Sequence, residues 1–393
     1  MENLLLLHDS EFQTRINRIK NQLKVNSIDA ALISDNANKY YVCGRVFNGY
    51  IYIPVDGEVI FFIRRPVELE GRNVIYIRKP ENISETIITQ GLTLPDNLGL
   101  ELDLMPYNMV MRINKVFPNS HLNNASTIMR QCRAIKTEYE ISLLELSGIK
   151  HQYVYSNIPS LYDEGMTDVE LQVEIERISR LNGCLGQFRI SGDSMEIHMG
   201  NLICGDNADT PSPYDFAMGG AGINPSLPVG SDGTIIKPGM TVMVDLNGNY
   251  TGYMTDMTRT FSVGDLSPLA QKAHNCSIEI NQTLAQMGRP GVEAKSLYEK
   301  AIEIVQNNGL EDLFMGHRQK AGFIGHGVGI EVNELPVIAP RSSDILAEGN
   351  AIALEPKFVI PGIGAVGVEN TYIVTSSGMR CITNAPEEIM SLD

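Results

Sequence analysis

Two apolar hairpins that each carry a pair of carboxylates constrain this chain more than any other feature. Val242-Met243-Val244-Asp245 is an apolar run ending in an acid, and Asp256 follows inside Gly252-Tyr253-Met254-Thr255-Asp256-Met257-Thr258-Arg259-Thr260-Phe261. A reversal near Tyr250 to Gly252 brings the two Asp residues side by side. Gly248 within the first arm suggests a bulge, so the register stays open. Taken alone, Asp residues on a hairpin are more often turn or cap residues than ligands. The second hairpin is more telling. Ala351-Ile352-Ala353-Leu354-Glu355-Pro356 runs into the turn Pro361-Gly362-Ile363-Gly364, and Ala365-Val366-Gly367-Val368-Glu369 returns. The turn centre lies midway between the acids, which places Glu355 opposite Glu369. A buried carboxylate must be paired or must bind a cation. Lys357 is the one basic residue in register, and a divalent cation is the simplest partner for the set.

His326 lies in Phe323-Ile324-Gly325-His326-Gly327-Val328-Gly329. A lone His between apolar residues is more often a core residue, but flanking glycines let backbone approach closely and favour a ligand. One imidazole with four carboxylates suits manganese first, then cobalt, zinc or iron. The set exceeds what one metal needs, so two divalent ions roughly 3–4 Å apart are expected.

The 393 residues fit two domains, and 43% hydrophobic with 20% charged residues is a globular balance. We place the boundary between residues 1–132 and 133–393. The first part alternates short apolar runs with helical periodicity from Arg15 to Leu23. Ile28 to Ser34 and Leu98 to Glu101 read as strands. Ile51 to Val55 and Val59 to Ile63 read as a hairpin around Asp56-Gly57, with Pro54 implying an edge strand or strand end. This is an α/β domain with a mixed sheet. The second part opens with a capping box at Thr137/Glu140 and another at Thr167/Glu170. Further helices begin at Ser267-Pro268 and Val292, and Gly-rich strand segments span 241–262 and 351–374. That is an α+β pattern of helices over antiparallel sheet.

A formal charge of −16 disfavours nucleic acid as a partner. No segment reaches the ~20 apolar residues of a membrane span. Leu4 to Leu7 lacks a basic flank and is followed by Asp9 and Glu11, so a cytoplasmic location is expected. Six cysteines without a C-x-x-C pair read as free thiols. Residues 200–233, rich in Gly, Pro, Ser, Asn and Asp, read as a pocket-lining loop or as a missed element.

Taken in order, Asp-x10-Asp with Thr-Arg-Thr-Phe, Gly-His-Gly-x-Gly, Glu-Pro and Glu-Asn-Thr resemble the pita-bread metallopeptidases. That family holds aminopeptidase P, prolidase, methionine aminopeptidase and the metal-free creatinase. The resemblance implies a creatinase-like N-terminal α/β domain and an α+β pita-bread C-terminal domain with a curved antiparallel sheet. It implies that Asp245 chelates one metal, that Asp256 and Glu369 bridge both, and that His326 and Glu355 bind the other. Glu355 would also move the proton of the nucleophile, a metal-bridging hydroxide that attacks a peptide or amide C–N bond. The implied substrate is a short Xaa-Pro peptide, and the implied assembly a homodimer.

The family carries two more histidines. Here Val229 stands at one position, in Asn224-Pro225-Ser226-Leu227-Pro228-Val229, and Asn333 at the other, in Asn333-Glu334-Leu335-Pro336. Asn333 can donate a hydrogen bond but cannot titrate, and Val229 does neither. Losing such a donor costs ~10²–10³ in rate. His198, Ser212 and Asp215 are candidate replacements lining the pocket, although each is read more readily as a surface or capping residue. Arg259 is expected to pair with a metal-binding carboxylate. Two rival readings remain: a metal-dependent hydrolase or lyase of a small non-peptide substrate, and a pseudoenzyme that binds peptide.

Overall fold

The computed structural model describes residues 2–192, 198–216 and 219–393. The chain divides into two compact units, Met1–Arg133 and Ala134–Asp393. The first is built on a six-stranded mixed sheet. Its order is Val74–Tyr76, Ile60–Arg65, Asn48–Pro54, Ala30–Ile33, Asn97–Leu100 and His121–Asn124. The hairpin pairs Tyr52 with Ile60. Pro54 closes a strand that is flanked on both sides, so it marks a strand end and not a sheet edge. Helices Asp9–Val25, Glu81–Thr89 and Tyr107–Val116 accompany the sheet. Leu32, Phe62, Ile83, Leu98 and Phe117 fill one core between these layers.

In the second unit both capping boxes form. Thr137 with Glu140 opens the helix Glu138–Asn157, and Thr167 with Glu170 opens Asp168–Leu181. Ser267 caps Pro268–Met287 through the amide of Ala270, and Ala294–Asn308 ends on Gly309 at φ 64, which a residue with Cβ rarely adopts. One sheet has the order Met390–Ser391, Met254–Ser262, Thr241–Asn249, Gly200–Cys204. Another runs Glu334–Ile338, Gly325–Gly327, Ala351–Leu354, Asn370–Thr375, Gly378–Cys381, and Lys357–Ile360 pairs with Gly364–Gly367 separately. Among the described residues no helix is long and apolar enough to cross a membrane, and all six cysteines are free thiols.

Two expectations change here. Residues 200–233 are not one loop, because Gly200–Cys204 is a fully buried strand on the edge of the first sheet, followed by a 3-10 turn at Gly205–Asp209. Gly200 and Asn201 at its start hid its apolar run Leu202-Ile203-Cys204. Gly248 makes no bulge either: the ladder is unbroken from Thr241↔Ser262 to Asn249↔Met254. The glycine is there because the helix Glu138–Asn157 packs on the strand, and a Cβ would meet the His151 ring at 2.7 Å.

His151 is buried, its Nδ1 lies 3.1 Å from Thr255 Oγ1, and its Nε2 has no partner among the described residues. Burial, then the nearby Arg259 charge, pushes its pKa down to about 3. The unfolded chain protonates this ring near pH ~6.5. Between those values the unfolded state binds a proton that the folded state refuses, so stability falls as pH is lowered through that window. The slope is about 1.4 kcal/mol per pH unit from this group. His151→Gln should therefore lose less stability than the parent between pH 7 and pH 5, read as urea midpoints. Identical losses would rule the assignment out.

Candidate metal centre

The ladder of the first hairpin pairs Asp245 with Thr258 and Asn247 with Asp256. The two acids are therefore on one face but two positions apart, not directly opposite. In the second hairpin Leu354 faces Asn370 and Lys357 faces Gly367. Continuing either register puts Glu355 across from Glu369, at the point where the chain leaves one sheet for the other. The bridge Thr258↔Glu369 ties the two hairpins together. Thr371 secures Asp256 from the other side: its Oγ1 accepts from the Asp256 amide at 2.8 Å and donates to the Asp256 carbonyl at 2.9 Å.

His326 enters from Gly325–Gly327, which is held between two strands. A Cβ at Gly325 would lie 2.5 Å from the Ala353 carbonyl oxygen, and one at Gly327 would lie 2.1 Å from that of Leu335. Only glycine fits beside this histidine, which is the physical content of the Gly-His-Gly motif.

The five side chains converge in two overlapping groups, Asp256–His326–Glu369 and Asp245–Glu355–Glu369. His326 Nε2 is 3.2 Å from Glu355 Oε1 and 3.9 Å from Asp256 Oδ2. Thr258 Oγ1 donates to Glu369 Oε2 at 2.7 Å. Asp256 Oδ1 and Glu369 Oε1 are buried and have no hydrogen-bond partner among the described residues. In the first unit, the buried Glu101 shows the contrasting solution: its oxygens accept from Ser34, Asp35 and Asn38, and none is orphaned. Two unpaired buried carboxylate oxygens beside an imidazole fit one divalent ion.

The other group is filled from within. Lys357 Nζ donates to Asp245 Oδ2 at 2.7 Å, Glu355 Oε2 at 2.8 Å and Glu369 Oε2 at 3.2 Å. Its side chain is wholly buried. The expectation of two ions thus meets an ammonium at one of the two positions.

The electrostatics follow from this layout. Burial raises Asp256 well above the usual carboxylate range, reinforced by Glu369, Asp245 and Glu355. Burial also pushes Glu369 up to about 8, with Lys357 opposing. For Glu355 burial acts upward, but Lys357 and His326 outweigh it and hold the carboxyl at about 2. Burial works against the His326 imidazolium, yet the Glu355 carboxylate beside it lifts the ring to about 9. Burial likewise opposes the charge on Lys357, and its three carboxylate neighbours more than compensate.

Arg259 differs from expectation. It is wholly buried, and among the described residues its guanidinium pairs with no carboxylate. It donates to the backbone carbonyls of Pro386, Thr258, Glu369, Thr383 and Ala385 and to Asn370 Oδ1. It holds the Glu369 backbone in place and leaves the carboxylate free. The fork of five donors suits converging carbonyls better than one acid does.

The pocket candidates divide. Asn333 Oδ1 accepts from the Ser191 amide at 2.8 Å, and its Nδ2 donates to the Ser191 carbonyl at 2.5 Å, so this side chain pins a neighbouring segment. Val229 is buried and apolar. His198 is exposed, and residues 193–197 before it lie outside the described residues. Ser212 Oγ donates to the Pro228 carbonyl at 3.0 Å, and Asp215 Oδ1 accepts from the Gly322 amide at 3.2 Å. Ser212 also caps local backbone at the Tyr214 amide, Asp215 ties its turn to a segment distant in sequence, and both line a small pocket with Tyr214, Gln319 and Lys320. Lys357 had one sequence signal, a charge directly after Glu-Pro in an otherwise apolar strand. Thr258 had none, because a threonine on a strand is ordinary.

Comparison with known proteins agrees with this geometry. Residues 142–376 match metallopeptidase family M24, and residues 15–135 match the creatinase/prolidase N-terminal domain. A Xaa-Pro dipeptidase of Pyrococcus horikoshii is 27% identical over 381 residues, covering 96% of this chain and 98% of that protein. Among solved structures, the prolidase of Pyrococcus horikoshii superposes with TM-score 0.78 at 24% identity, over 96% of this chain and 100% of its own. A Xaa-Pro dipeptidase from Bacillus anthracis superposes with TM-score 0.80 at 22% identity, over 97% of this chain and 99% of its own. A creatinase-type α/β unit followed by a pita-bread unit whose hairpins gather four carboxylates and one imidazole places this chain in metallopeptidase family M24.

Proposed function

We propose that this chain hydrolyses the C–N bond of short peptides, with Xaa-Pro peptides as the first substrate class, using a divalent ion held at the carboxylate–imidazole centre. The observation that carries this reading is the pair of buried, unpartnered oxygens, Asp256 Oδ1 and Glu369 Oε1, beside His326. The Xaa-Pro dipeptidase that aligns over nearly the whole chain supports the substrate class. A divalent ion there supplies Lewis acidity to a carbonyl oxygen and acidifies water.

The chain's own residues do the rest. Asp256, Glu369 and His326 hold the ion, and Thr258 fixes the Glu369 carboxylate. Glu355 is kept ionised by Lys357, whose Nζ donates to its Oε2 at 2.8 Å. That prepares it to take a proton from attacking water and deliver it to the leaving amine. Glu355→Gln should lower kcat by about 10²–10⁴-fold. A loss under tenfold at saturating substrate would remove Glu355 from proton transfer.

A panel of Xaa-Pro dipeptides and tripeptides, assayed with manganese or cobalt, tests the substrate class. Val229 and the engaged Asn333 favour one second reading, a small non-peptide amide or a lyase substrate. An ion-loaded protein that turns over no panel member decides for it.

A further inference from the structure

We infer that Lys357 is a built-in cation that takes the place of one metal, so that this centre accepts a single divalent ion on the Asp256–His326–Glu369 side. The inference rests on the metal-dependent reading above for the nature of the centre, and goes beyond it in the number of ions.

An ammonium has three N–H donors and no acceptor. Lys357 spends one on each of Asp245, Glu355 and Glu369, at 2.7, 2.8 and 3.2 Å. Its valence is filled by the same three carboxylates that would have to ligate an ion on that side. A divalent ion cannot share their centre with a charged nitrogen, since both would sit within a few ångströms of one another in a buried setting. The fold makes room for the lysine. Lys357 is paired with Gly367 across a two-stranded ladder, and a Cβ at Gly367 would come within 3.0 Å of the Lys357 Cα and Cγ. Its strand neighbours Phe358, Val359 and Ile360 are buried, so the stem has no route to solvent along its own strand.

The buried carboxylate oxygens without a hydrogen-bond partner among the described residues belong to Asp256 and Glu369, the two acids grouped with His326.

The test counts ions on the full chain, stripped with chelator, reloaded with excess Mn(II) and freed of unbound metal. Elemental analysis should give one manganese per chain, with the paramagnetic resonance spectrum of an isolated ion. Asp245→Asn should keep that ion, because Asp245 serves the lysine. Asp256→Asn and His326→Ala should each weaken it at least tenfold. Lys357→Ala should take up two ions and show an exchange-coupled pair. Two ions or none in the parent protein overturn the inference, and so does loss of the ion in Asp245→Asn. If Lys357→Ala fails to fold, the parent count and Asp245→Asn decide alone. The count is independent of turnover, so a silent substrate panel defeats the peptidase reading without touching this one.

Discussion

Arg259→Met should lower the stability of the second unit by about 4–6 kcal/mol, near the top of the range for single substitutions. The guanidinium is wholly buried and serves six oxygens drawn from three separate stretches of chain, at Thr258, at Glu369–Asn370 and at Thr383–Pro386. A methionine fills much of the volume but takes away the donor of the Pro386 and Ala385 carbonyls in a dry interior, while the Thr258, Glu369, Thr383 and Asn370 oxygens each keep one other donor. Arg259→Lys separates charge from geometry. Its three donors can serve at most half of the acceptors, so it should recover only part of the loss. The reading is the denaturant midpoint of the full-length protein. A methionine variant within about 1 kcal/mol of the parent would mean that the carbonyls find other donors, and that Arg259 does not organise the Glu369 backbone.

Lys357→Met should be the second large effect, and it should depend on metal. Removing one partner from a buried charge cluster costs about 3–5 kcal/mol, because the remaining charges stay buried without compensation. Here three carboxylates would lose their shared ammonium. In chelator the melting temperature should fall by roughly 10 °C, at about 2–4 °C per kcal/mol for a unit of this size. Saturating Mn(II) should restore most of that loss, because ions bind only the folded state. A melting temperature unmoved in chelator would show that Asp245, Glu355 and Glu369 tolerate one another without the lysine.

Parts of this were legible in the sequence because they are local. The two capping boxes form as the Thr-x-x-Glu spacing implies, since helix N-termini are satisfied within one turn. The Glu355–Glu369 facing follows from hairpin arithmetic, as both ladders obey one register. Other elements depended on partners distant in sequence. Gly200–Cys204 is a strand because Thr241–Asn249 offers it an edge, not because its own residues demand extension. Gly248 reads as a bulge until the helix carrying His151 is packed against it. Arg259 beside Asp256 reads as an ion pair, yet successive strand side chains point to opposite faces and the guanidinium goes to carbonyls instead.

The amino-acid order by itself determined the two-unit architecture, the set of four acids and one imidazole, and the family, because periodicity, caps and motif spacing are properties of short segments. Tertiary structure alone decided where the Lys357 ammonium goes. A lysine after Glu-Pro can reach solvent or reach inward, and the choice is made by electrostatics among residues 112, 2 and 12 positions away. Coulomb energy depends on distance through space and on burial, and neither is written in the order of the chain.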